Sequence, residues 1–402
     1  MRKKKSTAFD IIDLIPDELF KKLGAAHKVD FQVKKLFGKR MFQLLIYGFL
    51  TQKEISFRIL ETLFERPVFR QYANIPEDFT TDHSSLAERL SFIKVDYFKE
   101  LFEEVSKVLS FYFPAEKLES FKIVRFDSTL ISISSKLLKC YGFKNGRPTK
   151  RKERPHKLEV KFSVGFDGQN MRKAMFFNQS DSLNEHVTLQ KAIEESNLQL
   201  DEIAVFDRGI SKRTAFEDFN KQKIQFVTRI KNSKNKKAKY KQVNTYTEIS
   251  PEAPLETQTL FIYKDIEVHL YGRTTKKTKD TFRLIQATIK ASGDSILFLT
   301  NMTTLSPQTI TEIYKKRWDI EVLFRFVKQE MNMKHFLSRN ENGIQVVMYT
   351  TLIAAMLIYI YKAINELDGF KIAKLKFVNE LEIEVLKIIA VSYTHLTLPT
   401  KA

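Results

Sequence analysis

Tyr314-Lys-Lys-Arg317-Trp318-Asp319-Ile-Glu321-Val-Leu-Phe-Arg325-Phe-Val-Lys328 is a stretch whose polar residues recur at helical spacing. At about 100° per residue, Tyr314, Arg317, Glu321, Arg325 and Lys328 fall within a sector of roughly 80°. Ile313, Ile320, Leu323, Phe324, Phe326, Val327 and Met331 fill the roughly opposite side. The pattern predicts one helix over 314–328, anchored to a core by its apolar face, with a single carboxylate framed by cations and a phenol looking outward. Taken alone, such a face is equally an array of surface ion pairs at i,i+4 spacing. The rest of the chain bears on the choice.

Upstream, Ile123–Phe126, Leu158–Gly165 and Met171–Phe177 have strand composition, with Asp167-Gly168 as the turn joining the last two. A helix near 185–196, a strand over Ile203–Phe206, a helix over Thr214–Gln222 and a strand over Ile224–Thr228 follow. This alternation predicts an α/β fold, a mixed sheet flanked by helices. Asp127 directly follows the first strand and Asp207 directly follows Ile203–Phe206, so both carboxylates are expected at the ends of buried strands. A lone aspartate there is ordinarily a turn or cap residue. Two of them, with Glu321 on an inward-anchored helix, make a set of three carboxylates that can hold two divalent ions about 3.5–4 Å apart.

Residues 232 to about 300 have another texture. Val243–Ile249, Gln258–Tyr263, Ile266–Tyr271, Phe282–Ile289 and Ile296–Leu299 read as short strands without helices between them, a β-rich insertion. Lysine- and arginine-rich runs over 144–157, 229–241 and 273–279 bracket these strands and suggest a phosphate-tracking surface. Residues 9–112 are helical by period, with Ser84-Ser85-Leu86-Ala87-Glu88 resembling a capped helix start. That region reads either as a DNA-binding domain or as a packing module. Val346–Tyr361 carries no charge, but it is shorter than the roughly 20 residues of a membrane span and is expected to be a buried core helix.

Composition narrows the chemistry. The 402 residues carry a formal charge of +19, which implies a polyanionic partner such as nucleic acid. A single cysteine, Cys140, excludes a disulfide framework and a thiolate metal cluster, and the seven histidines lack zinc-ligand spacing. Any metal would be held by carboxylate oxygens, which favours magnesium or manganese. The start of the chain lacks a signal-peptide core, so a cytoplasmic location is expected.

Strand-Asp127-Ser-Thr, strand-Asp207-Arg-Gly, a β-rich insertion and Tyr314-x2-Arg317-x3-Glu321-x6-Lys328 together resemble the bacterial DDE transposases of insertion sequence family 4. The resemblance spans about Lys122 to Tyr361. It implies a ribonuclease H-like core over 116–231 and 303–390, interrupted by the insertion at 232–302 and preceded by a helical, DNA-end-binding domain at 1–115. Asp127, Asp207 and Glu321 would be the metal-binding catalytic triad, with Mg2+ or Mn2+, two ions per site. Tyr314, Arg317, Lys328 and the neighbouring Arg325 would contact DNA. The implied partners are transposon-end DNA and target DNA, bound by a homodimer at the nucleoid, with no membrane. The implied reaction is cleavage at the element's ends followed by strand transfer. An inactive end-binding derivative and a nuclease without strand transfer are the other readings. In relatives that form hairpins, an insertion tryptophan stacks on a flipped base. Here the sole tryptophan is Trp318, so that role would fall to a Phe or Tyr of the insertion or be absent. Residues 391–402 resemble a translated sequencing adapter and are expected to be a non-native tail that does not continue the preceding helix.

Overall fold

The computed structural model describes residues 6–133, 143–145, 157–177, 185–230, 240–271, 277–331, 333, 337, 338 and 340–397. Cys140 and all but the ends of the three basic runs lie outside the described residues.

Two compact units emerge, each assembled from separate stretches of chain. The first comprises Met1–Pro114, Ile131–Val160 and Phe324–Ala402. Its N-terminal part consists of α1 (Ala8–Ile12), α2 (Asp17–His27), α3 (Gly38–Thr51), α4 (Phe57–Glu65), α5 (Pro67–Tyr72), α6 (His83–Phe92) and α7 (Val95–Tyr112). Tyr97, Phe98, Leu101, Phe102, Val105 and Leu109 make one buried stripe along α7, as their spacing requires. The α6 cap is Asp82 rather than Ser84, two residues upstream: its Oδ1 accepts the Ser85 N–H at 2.8 Å, satisfying one of the orphan donors of the first turn.

Near the other end of the chain, α12 (Glu341–Ile364) packs against α3, α7 and α13 (Phe370–Thr397). Burial on all sides explains its charge-free run. Thr350 and Thr351 satisfy their hydroxyls on the Val346 and Val347 carbonyls, both at 2.8 Å, so neither needs solvent. The helix is long and apolar enough to cross a membrane, yet 89% of its most apolar window is buried inside the protein. The chain departs from expectation at α13, which continues to Thr397. No glycine or proline intervenes between 391 and 397 to stop it, Pro399 being the first.

The second unit, Ala115–Leu130 with Lys161–Leu323, is organised on a mixed sheet. The strands of the sheet are β1 (Lys117–Leu118), β2 (Phe121–Ile133), β3 (Phe143–Asn145), β4 (Lys157–Phe166), β5 (Met171–Phe177), β6 (Glu202–Phe206), β7 (Gln225–Ile230), β8 (Tyr240–Thr247), β9 (Leu255–Glu256), β10 (Leu260–Leu270), β11 (Phe282–Ile289) and β12 (Ser295–Thr300); β3, the end of β2 and the start of β4 fall in the first unit's stretch 131–160. The order across the sheet is β4-β2-β6-β7-β12-β11-β10-β8, with β3 and β5 both pairing β4. Strands β2, β6 and β7 run parallel. A parallel strand covered on both faces is largely apolar: all five residues of β6 are buried, four of them apolar, and Glu202 at its start is paired with Arg172. The β4–β5 turn is the expected Asp167-Gly168: Asp167 Oδ1 accepts the Gln169 and Asn170 N–H groups at 2.9 and 2.7 Å, and Gly168 takes φ +99°.

Helices α8 (Glu185–Glu194) and α9 (Thr214–Lys221) cover one face of the parallel strands, where Leu189, Ile193, Phe216 and Phe219 meet Val124, Phe126, Ala204 and Phe206. The opposite face presents Ile123, Ile203 and Val205 to Ile310, Ile313 and Tyr314 of α10 (Pro307–Lys315).

Strands β8 to β12 continue the same sheet, because β12 pairs antiparallel with β7 from Leu297↔Ile230 to Thr300↔Val227. The two expected strands at 258–263 and 266–271 are a single β10 with a register shift between Ile262 and Lys264. The charged pair Lys264-Asp265 imitates a turn in sequence. In the fold Asp265 is fully buried and receives the Arg283 fork at 2.7 Å through both Nε and Nη2, so the strand runs on.

Candidate active site

Parallel register brings the first two carboxylates together. Phe126 pairs with Phe206, so Asp127 and Asp207 follow at equivalent positions on neighbouring strands about 4.8 Å apart. Alternation places them on the face of Ile123, Ile203 and Val205, the face that α10 covers. Asp207 sits just beyond β6, as expected. Asp127 is not at a strand end: β2 continues through it to Ile133, because the Ser-Thr-Leu-Ile run after it is itself strand-competent. Asp127 Oδ1 accepts its neighbour's Ser128 N–H at 2.7 Å, and Ser128 Oγ lies 2.6 Å from Ser163 Oγ on β4.

The stretch 314–328 is two helices. The chain turns at Lys316 and Arg317 between α10 and α11 (Trp318–Gln329), where the backbone bonds shorten to three-residue steps: Arg317 N to Tyr314 O at 3.0 Å and Asp319 N to Lys316 O at 3.2 Å. A uniform 100° period therefore overstates the common face of its polar residues. Tyr314 does not look outward. It is buried with its ring against Phe298, and its hydroxyl donates to Asp207 Oδ1 at 2.9 Å. Trp318 is 54% exposed at the start of α11.

Arg317 ties the site together. Its Nη2 donates to Glu321 Oε1 at 2.6 Å, and its Nη1 lies 3.8 Å from Asp127 Oδ2. Its Nε is buried and has no hydrogen-bond partner among the described residues. Burial works against the Arg317 charge, but the Glu321 bond and the nearby Tyr314 and Asp207 outweigh it and raise its pKa. Burial likewise opposes the charge on Asp207. The Arg208 backbone N–H, the Tyr314 hydroxyl and the cations of Arg229 and Arg317 prevail, holding this carboxyl below the ordinary aspartate range. Tyr314 is pushed up by burial and then by Asp207, so it stays a donor. Arg325 is exposed and Lys328 half-buried, one and two turns along α11 from Glu321.

The fold thus brings Asp127, Asp207, Glu321, Tyr314 and Arg317 together. The donor set is oxygen only and includes a carboxylate held ionised, which suits a hard divalent cation. Among the described residues no three carboxylates or imidazoles close on one point, and a guanidinium links Asp127 to Glu321. Sequence reasoning missed Arg229, whose Nε is 3.8 Å from Asp207 and whose guanidinium lies over the Tyr314 ring, because it falls at the edge of a basic run. It also missed Arg125. A charge inside the apolar strand Ile-Val-Arg-Phe was the available signal.

The transposase DDE domain family matches residues 121–357. A putative transposase for insertion sequence element IS4SA of Synechocystis sp. is 24% identical over 325 residues, 79% of this chain and 81% of that protein. A probable transposase for insertion sequence element IS5377 of Geobacillus stearothermophilus is 26% identical over 178 residues, 44% of each chain. Among solved structures, a piggyBac transposase synaptic complex with hairpin DNA aligns with a TM-score of 0.48 at 10% identity, covering 98% of this chain and 83% of that one. With well over half of its length matched and an acidic constellation inside the matched region, the chain belongs to the DDE transposases, a family of DNA-transposing enzymes that use divalent metal ions.

Proposed function

We propose that this transposase cuts DNA at the ends of a mobile element and joins the released 3′ ends to a target, with Asp127, Asp207 and Glu321 as the catalytic carboxylates. The observation that carries the reading is the parallel register setting Asp127 beside Asp207 on the sheet face where Arg317 holds Glu321. The three carboxylates would hold magnesium or manganese, two ions per site, which when bound supply the charge that activates the attacking oxygen and stabilises the leaving one. The order β5-β4-β2-β6-β7, an antiparallel pair β5-β4 followed by the parallel trio β2-β6-β7, supports a ribonuclease H-like core.

The chain's own groups have distinct tasks. Tyr314 and the Arg208 backbone orient the Asp207 carboxylate and keep it ionised. Arg317 balances the anionic cluster, bonding Glu321 and standing close to Asp127. Arg325 and Lys328, further along α11, track the phosphates beyond it. Two ends cut in concert imply a homodimer on the DNA, acting in the bacterial cytoplasm.

Incubation with end-containing DNA, a target plasmid and magnesium tests the proposal. Cleavage and joining are expected from the parent chain. Glu321→Gln abolishes both while end binding stays nearly intact, and full activity in that variant refutes the triad. Binding without cleavage by the parent chain identifies an end-occupying derivative, and cleavage without joining identifies a nuclease.

A further inference from the structure

Arg125 is among the largest fully buried side chains of the protein, 1% exposed, and lies two residues before Asp127 on the same strand face. Its fork is spent on three separate places. Nη1 donates to the Ile123 carbonyl at 2.7 Å, Nε to the Lys316 carbonyl at 3.1 Å, and Nη2 to Asp319 Oδ2 at 2.8 Å. The Lys316 carbonyl belongs to the turn that ends α10, and Asp319 lies in the first turn of α11. Each charge of the pair therefore sits at the helix end it favours, the cation at a C-terminus and the anion at an N-terminus. A third element closes on the same group: a Cβ on Gly168, in the β4–β5 turn, would stand 3.0 Å from Arg125 Nη1.

We infer that Arg125, through Asp319 and the Lys316 carbonyl, is a positioning residue that sets the α10–α11 turn and with it the placement of Arg317 and Glu321 relative to Asp127. This rests on the triad reading proposed above. The reasoning is one of leverage. Arg317 directly follows the tethered Lys316, and Glu321 is two residues beyond the tethered Asp319. The tether starts only about 7 Å along the strand from Asp127. Burying a guanidinium is costly, and a well-packed apolar side chain would hold the strand to the helices at least as well for stability alone. Only a planar fork with fixed donor directions joins a carbonyl and a carboxylate across a helix break, and lysine cannot reproduce it.

Arg125→Lys and Asp319→Asn test the inference, with Glu321→Gln as the internal standard. Asp319 is partly exposed, so its substitution leaves the core packing in place and decides the matter even where Arg125→Lys folds poorly. Four quantities are measured: thermal unfolding, end-DNA affinity, single-turnover cleavage, and Mn2+ affinity of the DNA-free protein from the free-ion paramagnetic resonance signal. Acrylamide quenching of Trp318, the sole tryptophan and the first residue of α11, reports the turn directly.

Both variants are expected to lose about 10- to 100-fold in cleavage and in Mn2+ affinity, the usual effect of disturbing a group that orients a metal ligand. End binding should change less than about 3-fold, Trp318 quenching should alter, and the combined variant should be no worse than the poorer single one. The inference is overturned if folded Asp319→Asn keeps parental cleavage and Mn2+ affinity while Glu321→Gln loses both. If Glu321→Gln itself keeps both, the triad reading has failed instead, and the two failures are told apart.

Discussion

Arg317 shows how much a single side chain can hold. It contacts Glu321, stands close to Asp127, and is felt electrostatically by Asp207, so the three carboxylates share one cation. Like charges gathered this way repel, and the guanidinium offsets the repulsion at a mostly buried position. Gly168 is a second residue with a defined duty. Its φ of +99° excludes most side chains, and the Arg125 guanidinium occupies the space a Cβ would need. Gly168→Ala is expected to cost about 2 kcal/mol in urea unfolding, from backbone strain and displacement of Arg125 together. A cost near zero would mean the turn relaxes freely and Arg125 is not held from that side.

At the scale of elements, a buried ion pair interrupts the apolar alternation of β10 and β11. Asp265 and Arg283 are both buried, and Arg283 Nη1 also donates to the Leu305 carbonyl at 2.7 Å, ahead of the Ser306 cap that starts α10. The pair therefore joins β10 and β11 to the approach of the helix that carries Tyr314. Asp265→Ala leaves a desolvated guanidinium unpaired and is expected to destabilise the protein by roughly 3–5 kcal/mol. Chemical denaturation measures this, and a loss below about 1 kcal/mol would show that water reaches Arg283. The same pair explains why β10 reads as two strands: a lysine and an aspartate inside an alternating run resemble a turn until the partner of the aspartate is known. The α10–α11 break has a similar origin. Its local sequence has no proline or glycine, and the Lys316 carbonyl at the turn accepts, besides the Asp319 N–H, an arginine from a strand nearly two hundred positions away.

For the molecule as a whole, a formal charge of +19 makes DNA affinity strongly dependent on salt. Lys328→Ala is expected to weaken end binding and to lower the slope of log affinity against log salt by about one phosphate contact. An unchanged slope in a filter-binding titration would remove Lys328 from the interface. Much of the architecture was legible from residue order. Period-two and helical patterns located β5 and β11 to the residue and α8, β6 and α9 nearly so, because local burial alone dictates such patterns. The acidic residues and the spacing of Tyr314, Arg317, Glu321 and Lys328 pointed to the family, since type and interval are properties of the chain. What residue order does not contain is the pairing of distant segments. That Asp127 lies inside a strand, that Tyr314 turns inward to Asp207, and that Arg125 spans the helix break all depend on parallel register and on contacts between residues far apart in sequence. Those contacts exist only once the sheet is assembled and its buried polar groups must find partners.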